Sequence, residues 1–534
     1  MKFGAVEIDP AKNPAILDTA TWNPKSAWDI LCRLDDQYWR SPEYLAPRST
    51  WGLPVNEHFM PYAGSFARYQ GSDFFLASVQ EGQHVFIGIG PDAGESVLGE
   101  PIGKKRLADG TCVAAYKTDA AIIDRYCRLI NPDKGPKALG ATPRLGIGTR
   151  MSTAVWPGVW RAMDRCSFSA NAIQNSVREL NLLEDVWAGR PACANYLPGL
   201  GQIEEGHTGS TFEGLWVAGV LEALKTDTNP QYGADADHIM VKRGAQGMIQ
   251  AKRVIDAACY YSFFTLDVSD ILDYAAMERP IGKYWPALEV VGELYNHIKS
   301  LKDNAAFDLE ISIDESPPDV GALESVTTEE ELLFLLLEMQ RRQIPLTHIA
   351  PNFGIVKGQD YRCPDGLEGL GRRVRKLCRI AADHAVLLDC HSGDDLKSAT
   401  RKVIGRATDG QIHFKISPAL QIIFAEALSD FDPEQFAFWW DDTLDYARRQ
   451  RAAGSELACD CIHEYESGGN ATPSPRHAVF RHYCFATVGR RDEHGQFIHR
   501  EKFYTLPADF YQEYQRRVEY YLCEVAEDVF SRGS

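Results

Sequence analysis

The sequence lacks any Cys-x-x-Cys pair, although it contains thirteen cysteines. Closely spaced cysteine pairs are typical of structural zinc sites and of thioredoxin-like redox sites, so both classes are disfavoured. The number of cysteines is odd, and the residues that follow Met1 lack the apolar core of a signal peptide. We therefore expect reduced thiols and a cytoplasmic location.

A long apolar run is also missing. The most apolar stretch, residues 332–337, is far shorter than the roughly 20 residues that a membrane-spanning helix needs. It follows a helix-capping pattern at Thr327, Thr328 and Glu331, which predicts a buried helix. The net charge is −18, so the chain lacks the positive excess that favours nucleic acids and anionic membranes. Both are disfavoured as partners, whereas a small anionic substrate needs only a few local cations.

The third glycine of a dinucleotide-binding loop is absent. Gly88 and Gly90 form a Gly-x-Gly pair, but no further glycine follows at the required spacing and no helix pattern begins there. The remaining composition, with 45% hydrophobic and 24% charged residues, is ordinary for a globular protein. The length of 534 residues predicts two or three domains.

The clearest pattern that is present is a strict alternation over residues 307–315. Leu309 and Ile311 fall on one face, whereas Asp308, Glu310 and Asp314 fall on the other. Period-two alternation predicts a β-strand. Three carboxylates on one face of a short strand are unusual for a solvated edge. A barrel accounts for them, because its strands direct one face toward surrounding helices and the other toward the interior.

Strand-like runs alternate with helical patterns from residue 144 onward. The runs cover residues 145–148, 167–174, 232–237, 261–267, 307–314, 346–352, 385–391 and 411–416. This alternation predicts a parallel sheet, and eight units of this size predict an α/β fold of the (β/α)8 TIM-barrel type. An open, doubly wound sheet is the alternative. We expect an N-terminal α+β domain over residues 1–140, the barrel over 141–430 and a helical extension over 431–534.

Polar side chains gather at the carboxyl ends of the predicted strands, where barrel enzymes place their active sites. Imidazole and carboxylate groups together suit a divalent Mn, Co, Ni, Zn or Fe ion. His238, Glu310 and His391 are the leading candidate ligands. Four further residues form a reserve set of ligands: Asp235, Asp237, Asp314 and His413.

Several motifs in the same order resemble the tagaturonate epimerase family, whose members interconvert tagaturonate and fructuronate. The resemblance extends from Arg144 into the C-terminal helices. Its motifs are residues 145–147, Gln174 with 176–179, the Gly-Ala-Asp-Ala-Asp-His segment at 233–238, 265–267 with 269–270, 307–315, 391–393 and 413–415. The resemblance implies a metal-dependent epimerase on a barrel, with metal-binding positions at His238, Glu310 and His391.

The reaction that the resemblance implies inverts a carbon β to a ketone, where the C–H bond is not acidified by the carbonyl. Cleavage and re-formation of the α–β carbon bond, a retro-aldol and aldol sequence, can invert it. We expect Asp237 or Asp314 to act as the base, and Lys415 and Arg178 to contact anionic groups. The other predicted substrate-binding residues lie at the strand ends: Gln174, Ser176, Asp267, Asn352 and His413.

Two other functions remain open from the sequence. One is a metal-dependent ketose–aldose isomerase or aldolase on the same barrel, which an aldose or a cleaved product would reveal. The other is a sugar-binding protein without catalytic activity. Three candidate metal ligands argue against the latter, because a binding module does not need them. In every case the expected partner is a small sugar acid or ketose.

Overall fold

The structure is a computed structural model that describes most of the chain. It covers residues 2–3, 6–7, 24–40, 59–79, 83–188, 190, 194–197, 201–204, 206, 210–276, 280–303, 305–315, 324–356, 359–391, 393–468, 472–490, 492, 498–499 and 501–531. Ser392, in the motif at 391–393, lies outside the described residues. Among the described helices, none has the length and apolar character needed to cross a bilayer.

The strands, in chain order, are β1 (Lys2–Phe3), β2 (Val6–Glu7), β3 (Phe59–Tyr69), β4 (Ser72–Val79), β5 (Gln83–Gly90), β6 (Gly103–Arg106), β7 (Cys112–Tyr116), β8 (Arg144–Gly148), β9 (Ser169–Ser176), β10 (Leu180–Asn181), β11 (Ala194–Leu197), β12 (Gly201–Glu204), β13 (Ser210–Thr211), β14 (Tyr232–Met240), β15 (Phe263–Asp267), β16 (Asp308–Ser312), β17 (His348–Ala350), β18 (Leu387–Cys390) and β19 (Ile412–Ile416).

The helices, in chain order, are α1 (Pro24–Cys32), α2 (Asp36–Arg40), α3 (Ala120–Arg125), α4 (Ser152–Cys166), α5 (Leu183–Trp187), α6 (Phe212–Lys225), α7 (Ala245–Ala257), α8 (Ile281–Leu301), α9 (Glu329–Arg341), α10 (Gly366–Asp383), α11 (Ser398–Thr408), α12 (Pro418–Phe431), α13 (Pro433–Ala452), α14 (Glu456–Ser467), α15 (Ala478–Tyr483), α16 (Phe485–Val488), α17 (Glu501–Tyr504) and α18 (Ala508–Phe530).

Eight parallel strands close into a barrel in the order β14-β15-β16-β17-β18-β19-β8-β9. Each of the eight runs predicted from the sequence overlaps one of these strands. The predicted (β/α)8 barrel is therefore confirmed, and the open sheet is excluded. The capping pattern at Thr328 also forms as expected, because its side chain accepts from the backbone N–H of Glu331 and the Glu331 side chain accepts from the backbone N–H of Thr328.

The alternation in β16 separates an apolar face from a polar one. Leu309 and Ile311 belong to the same hydrophobic core as Leu332 and Leu335 of α9. Glu310, between them in the strand, is fully buried among polar partners inside the barrel. Burial on both faces explains why the strand carries carboxylates without being a solvated edge.

An antiparallel sheet precedes the barrel, with strand order β3-β4-β5-β7-β6. On one face, Phe75 and Ile87 share a core with Leu31 of α1. On the other face, Phe74 and Phe86 join the core that continues into the barrel. The Gly-x-Gly pair noted in the sequence lies within β5. The three-domain division remains a prediction.

The C-terminal helix α18 packs against α4, α11 and α12. Cys166, the last residue of α4, forms a disulfide with Cys523 of α18. The prediction that the thiols are reduced is wrong for this pair. The two cysteines are 357 residues apart, so their pairing depends on helix packing that no local spacing reveals. The cytoplasmic location stays a prediction.

A buried ion pair ties the start of the barrel together. Nη1 of Arg144 lies 2.9 Å from Oδ2 of Asp308, and both side chains are almost completely buried. The Asp308 carboxylate also accepts hydrogen bonds from the backbone N–H groups of Leu139 and Gly140. Asp308, the first carboxylate of the alternating stretch, is therefore a structural group that holds the segment before β8 against β16.

We expect Arg144→Met to lower the free energy of unfolding by about 3–5 kcal/mol, because it leaves a buried carboxylate without its counter-charge. Arg372→Met is the matched control, since Arg372 and its partner Glu368 are both exposed and such pairs contribute at most about 1 kcal/mol. Urea denaturation of the two variants measures the difference. Equal midpoints would show that the Arg144–Asp308 pair does not stabilise the barrel.

Candidate active site

The ammonium group of Lys415, in β19, lies at the centre of the barrel's polar interior. Its Nζ donates to Oδ1 of Asp237 at 2.8 Å and to Oγ1 of Thr265 at 2.9 Å. Carboxylate oxygens of Asp235, Glu310 and Asp389 lie 3.2, 3.3 and 3.4 Å from it. Burial by itself lowers the pKa of Lys415. The surrounding carboxylates, of which Asp235 and Asp237 have the largest effects, outweigh burial and raise the pKa of Lys415 well above its usual range. The surrounding carboxylates therefore favour the charged form of Lys415.

Gly146 of β8 makes room for this lysine. A Cβ atom at position 146 would lie 2.6 Å from Cγ of Lys415 and 2.5 Å from Oε1 of Gln174. Since carbon atoms do not approach this closely without displacement, a larger residue would push the lysine chain away from its carboxylates. Gly146 thus contributes to the site because it leaves room for the Lys415 side chain.

The carboxylates around Lys415 do not share one protonation state. Burial raises the pKa of Asp235 to about 7, so Asp235 can hold a proton near neutral pH. The pKa of Asp237 is lowered: burial opposes ionisation, but Lys415 and His238 overcome it. Burial likewise would raise the pKa of Asp389, yet His413 and Lys415 hold it well below its usual range. One buried carboxyl of the cluster is therefore poised to exchange a proton while others stay ionised.

A bulge in β14 turns two consecutive residues into the barrel. The register with β15 shifts between Ala236 and Ile239, and His238 has a left-handed backbone with φ of 48°. Asp237 reaches Lys415, while Nδ1 of His238 lies 3.0 Å from Oδ2 of Asp267. Neighbouring residues of a regular strand face opposite ways, so the bulge is what places both side chains in the site.

His391 connects the lysine cluster to the mouth of the barrel. Its Nε2 lies 2.8 Å from Oε1 of Glu310, and its Nδ1 lies 3.2 Å from Oδ1 of Asp314. Its ring packs edge-on against the ring of His238, with centroids 4.5 Å apart. His391 thus contacts both of the other predicted metal ligands, Glu310 through a hydrogen bond and His238 through ring packing, whereas no set of mutually close ligand atoms among the described residues contains both His238 and Glu310.

A second layer of the cluster lies deeper in the barrel. Nδ1 of His413 lies 2.8 Å from Oδ2 of Asp389 and 3.7 Å from Oε2 of Glu310. His413, predicted to bind substrate, is fully buried beside His348. His413 therefore lies beside the carboxylates of Asp389 and Glu310.

The residues present suit a divalent cation. Ligand atoms lie within 4.8 Å of one another in three sets: Asp237, His238 and His391; His238, Asp267 and Glu315; and Glu310, Asp389 and His413. Within the described part of the chain, Oε2 of Glu310 and Oδ1 of Asp389 are buried without a hydrogen bond. Buried carboxylates normally have partners, and here four of them face a single ammonium group. A cation bound by oxygen and imidazole ligands would supply partners for these oxygens and would offset the excess of negative charge.

Two predicted substrate-binding residues are engaged elsewhere. Nη2 of Arg178 lies 2.7 Å from Oε1 of Glu315, so the guanidinium joins the end of β9 to the segment after β16. The amide of Asn352 donates to Oγ of Ser325 and accepts from the backbone N–H of Gly354. Both side chains therefore stabilise the connections around the mouth.

The remaining predicted residues of β9 lie nearer the cluster. Gln174 and Ser176 are buried at the carboxyl end of the strand. Oε1 of Gln174 has no hydrogen bond within the described residues, and its position beside the Lys415 chain leaves it able to accept one from a ligand. The backbone N–H of Ser176 donates to Glu179.

The structure adds two residues that the sequence did not single out. Asp389 and Thr265 both contact Lys415. Asp389 stands two positions before His391, and Thr265 stands two positions before Asp267. Both of these later residues were predicted from the sequence to lie in the site. The two-residue period of a strand was therefore the signal that could have identified them.

A comparison with known proteins gives a family match. The family model UxaE, tagaturonate epimerase, matches residues 272–436. The matched segment contains Glu310, His391 and Lys415, whereas His238 precedes it. The resemblance noted in the sequence is confirmed by this match, and the predicted enzyme class, an isomerase, is that of the family. No curated protein matches this chain.

Solved structures of one enzyme share the fold. A crystal structure of fructuronate-tagaturonate epimerase UxaE from Cohnella laeviribosi with two glycerols is 17% identical, covers 89% of this chain and 97% of its own, and has a TM-score of 0.63. The native structure of that enzyme gives the same values. A complex of the same enzyme with one glycerol is 16% identical, covers 88% of this chain and 96% of its own, and has a TM-score of 0.61.

Proposed function

We propose that this chain is a metal-dependent sugar-acid epimerase that interconverts tagaturonate and fructuronate, or a closely related ketouronate or ketose. The observation that carries the proposal is the arrangement of Lys415, Glu310 and His391 at the centre of a closed barrel, within the segment that matches the epimerase family. Two structures of the Cohnella enzyme contain glycerol, which supports a polyol-like ligand for this chain.

His238, Glu310 and His391 would hold the divalent ion. When bound, the ion supplies Lewis acidity that polarises the substrate's ketone and adjacent hydroxyl. Asp267 has a supporting role, because its contact with Nδ1 of His238 orients that ring.

The proposed reaction breaks and re-forms a carbon–carbon bond. A base removes the proton of the hydroxyl on the β carbon, the α–β bond cleaves, and an aldehyde and an enediolate result. The aldehyde then turns its other face to the enediolate and the bond forms again. Every atom is retained, and no oxidant or reductant is needed.

The side chains of the cluster divide the work of this reaction. Asp237, ionised beside Lys415, or Asp314, at the mouth beside His391, would accept the hydroxyl proton. The Lys415 cation would stabilise the negative charge that develops as the bond breaks, because it is already fixed in a buried site and needs no reorganisation. Gln174 and Ser176 would bind substrate hydroxyls.

Substrate labelled with deuterium separates this reaction from its alternatives. With the label on the inverted carbon, we expect full retention in the product without added nicotinamide, because that C–H bond never breaks. With the label on the hydroxymethyl carbon at the other side of the ketone, we expect retention as well, whereas a ketose–aldose isomerase that acts by enolisation removes a proton from that carbon and would exchange label with solvent. Mass spectrometry of the recovered sugar acids reads both labels.

Loss of either label, or activity that depends on a nicotinamide, would contradict the carbon–carbon cleavage. An aldose product would indicate a ketose–aldose isomerase, and accumulation of two fragments would indicate an aldolase. Binding of the ketouronate with no turnover by the metal-loaded protein would indicate a sugar-binding protein.

A further inference from the structure

A second cavity lies apart from the lysine cluster. It has a volume of about 630 Å³, within the range of sites for small organic ligands. Its walls come from the connection after β17, the connection after β18 and the first turns of α12. Residues of α15, of the segment before it and of α18 complete the walls. None of the residues assigned to the metal or to Lys415 lines it. The cavity is therefore a site distinct from the proposed active site.

Four basic and three acidic side chains line this cavity, so its lining has a positive excess although the chain as a whole is strongly acidic. Two of its four lining cations are already paired: Arg481 lies 3.0 Å from Asp395, and Arg476 lies 2.6 Å from Glu426. The other two are Arg362 and Lys397, and no ion pair of theirs occurs among the described residues.

Asp360, a lining carboxylate, is bound to the start of α11. Oδ1 of Asp360 accepts from the backbone N–H of Lys397 and from Oγ1 of Thr400. This bonding fixes the first turn of α11 at the cavity wall. Since α11 and α12 both begin at the cavity, the positive ends of two helix dipoles add to the charges of Arg362 and Lys397.

Part of the wall is apolar. Leu396, Ile422 and Ile423 line the cavity together with the ring of Tyr521. Aliphatic and aromatic groups beside a few charged ones are the usual lining of a site for a small organic molecule. An inorganic ion alone would leave this surface without a partner.

We propose that this cavity binds a compact organic anion, with its phosphate or carboxylate group between Arg362 and Lys397 and its body against Ile422 and Tyr521. Both head groups offer the same chemistry, an oxyanion that accepts several charge-assisted hydrogen bonds. The site does not depend on the proposed epimerase reaction, because it shares no residue with that active site.

Isothermal titration calorimetry on the full chain tests the site, with glucose 6-phosphate and glucuronate as the two anionic probes and glucose as the neutral one. We expect at least one anion to bind and its affinity to fall as sodium chloride is raised. In R362Q/K397Q the same anion should bind at least about tenfold more weakly, since two contacts to a charged group are lost. Both side chains are exposed, so the variant is expected to fold.

Two control variants make the result specific. R375Q/K299Q removes the same charge from exposed positions that do not line the cavity and should bind like the parent. The folded fraction of Lys415→Met, measured by circular dichroism, should also retain the binding. Equal affinity in R362Q/K397Q, loss of binding in folded Lys415→Met instead, equal binding of glucose, or no binding of either anion would each overturn the proposal.

Discussion

His238→Ala, Glu310→Gln and His391→Ala should each lose the divalent metal while keeping the fold. Each change removes one of the three proposed protein ligands. Activity should fall by about 10³-fold or more, because the ion contributes several kcal/mol of transition-state stabilisation. Elemental analysis after gel filtration measures the metal, and circular dichroism measures the fold. Asp267→Asn should weaken metal binding more mildly, by about 10–100-fold, because Asp267 would act on the ion through Nδ1 of His238 and not as a ligand.

A matched control and a rival ligand set sharpen this prediction. His297→Ala should retain the full metal content, because His297 pairs with Asp256 on the outside of the barrel. Asp389→Asn tests the deeper set formed by Glu310, Asp389 and His413. Metal lost in Asp389→Asn but kept in His238→Ala would place the ion at that deeper level. Full occupancy in all three of the first variants would refute the proposed ligands.

Lys415→Met should lower kcat by roughly 10²-fold or more, the usual effect of removing one group that stabilises developing negative charge. The physical reason is the position of Nζ, which is within 3.4 Å of carboxylate oxygens of Asp235, Asp237, Glu310 and Asp389. These carboxylates favour the charged form of Lys415 by raising its pKa. Steady-state kinetics on the metal-loaded variant measures kcat and KM separately. A rise of KM alone would show that Lys415 only holds the substrate.

Stability must be separated from catalysis in this variant, because methionine leaves four carboxylates without their shared cation. Lys283→Met is the matched control: Lys283 is a buried lysine paired with Glu331, outside the proposed site. It should lose stability, by about 3–5 kcal/mol, yet keep the kcat of the parent in its folded fraction. Lys415→Arg supplies a second readout, because it keeps the charge and replaces the compact ammonium with a larger planar group. Parental kcat in Lys415→Arg would mean that charge alone, without the position of Nζ, is sufficient.

The barrel and its polar interior were predictable from the sequence because strand alternation is a local property. Leu309 and Ile311 on one face of β16, with Glu310 on the other, required only the two-residue period. Polar residues at the ends of successive runs placed His391 and Lys415 at one site, since parallel strands in a barrel end on the same side. The order of the motifs also carried the resemblance to the tagaturonate epimerases, which the family match over residues 272–436 confirms.

Other features depended on contacts between segments far apart in the chain. The bulge that turns both Asp237 and His238 inward arises from the pairing of β14 with β15, and alternation alone would have separated them. Arg178 is engaged by Glu315, 137 residues away, and Cys166 by Cys523; no periodicity encodes either contact. Local sequence thus determined which side chains could face the interior. The closure of the barrel and the packing of its helices decided which of those side chains meet, because an ion pair, a bulge or a disulfide forms only where the fold brings both partners within reach.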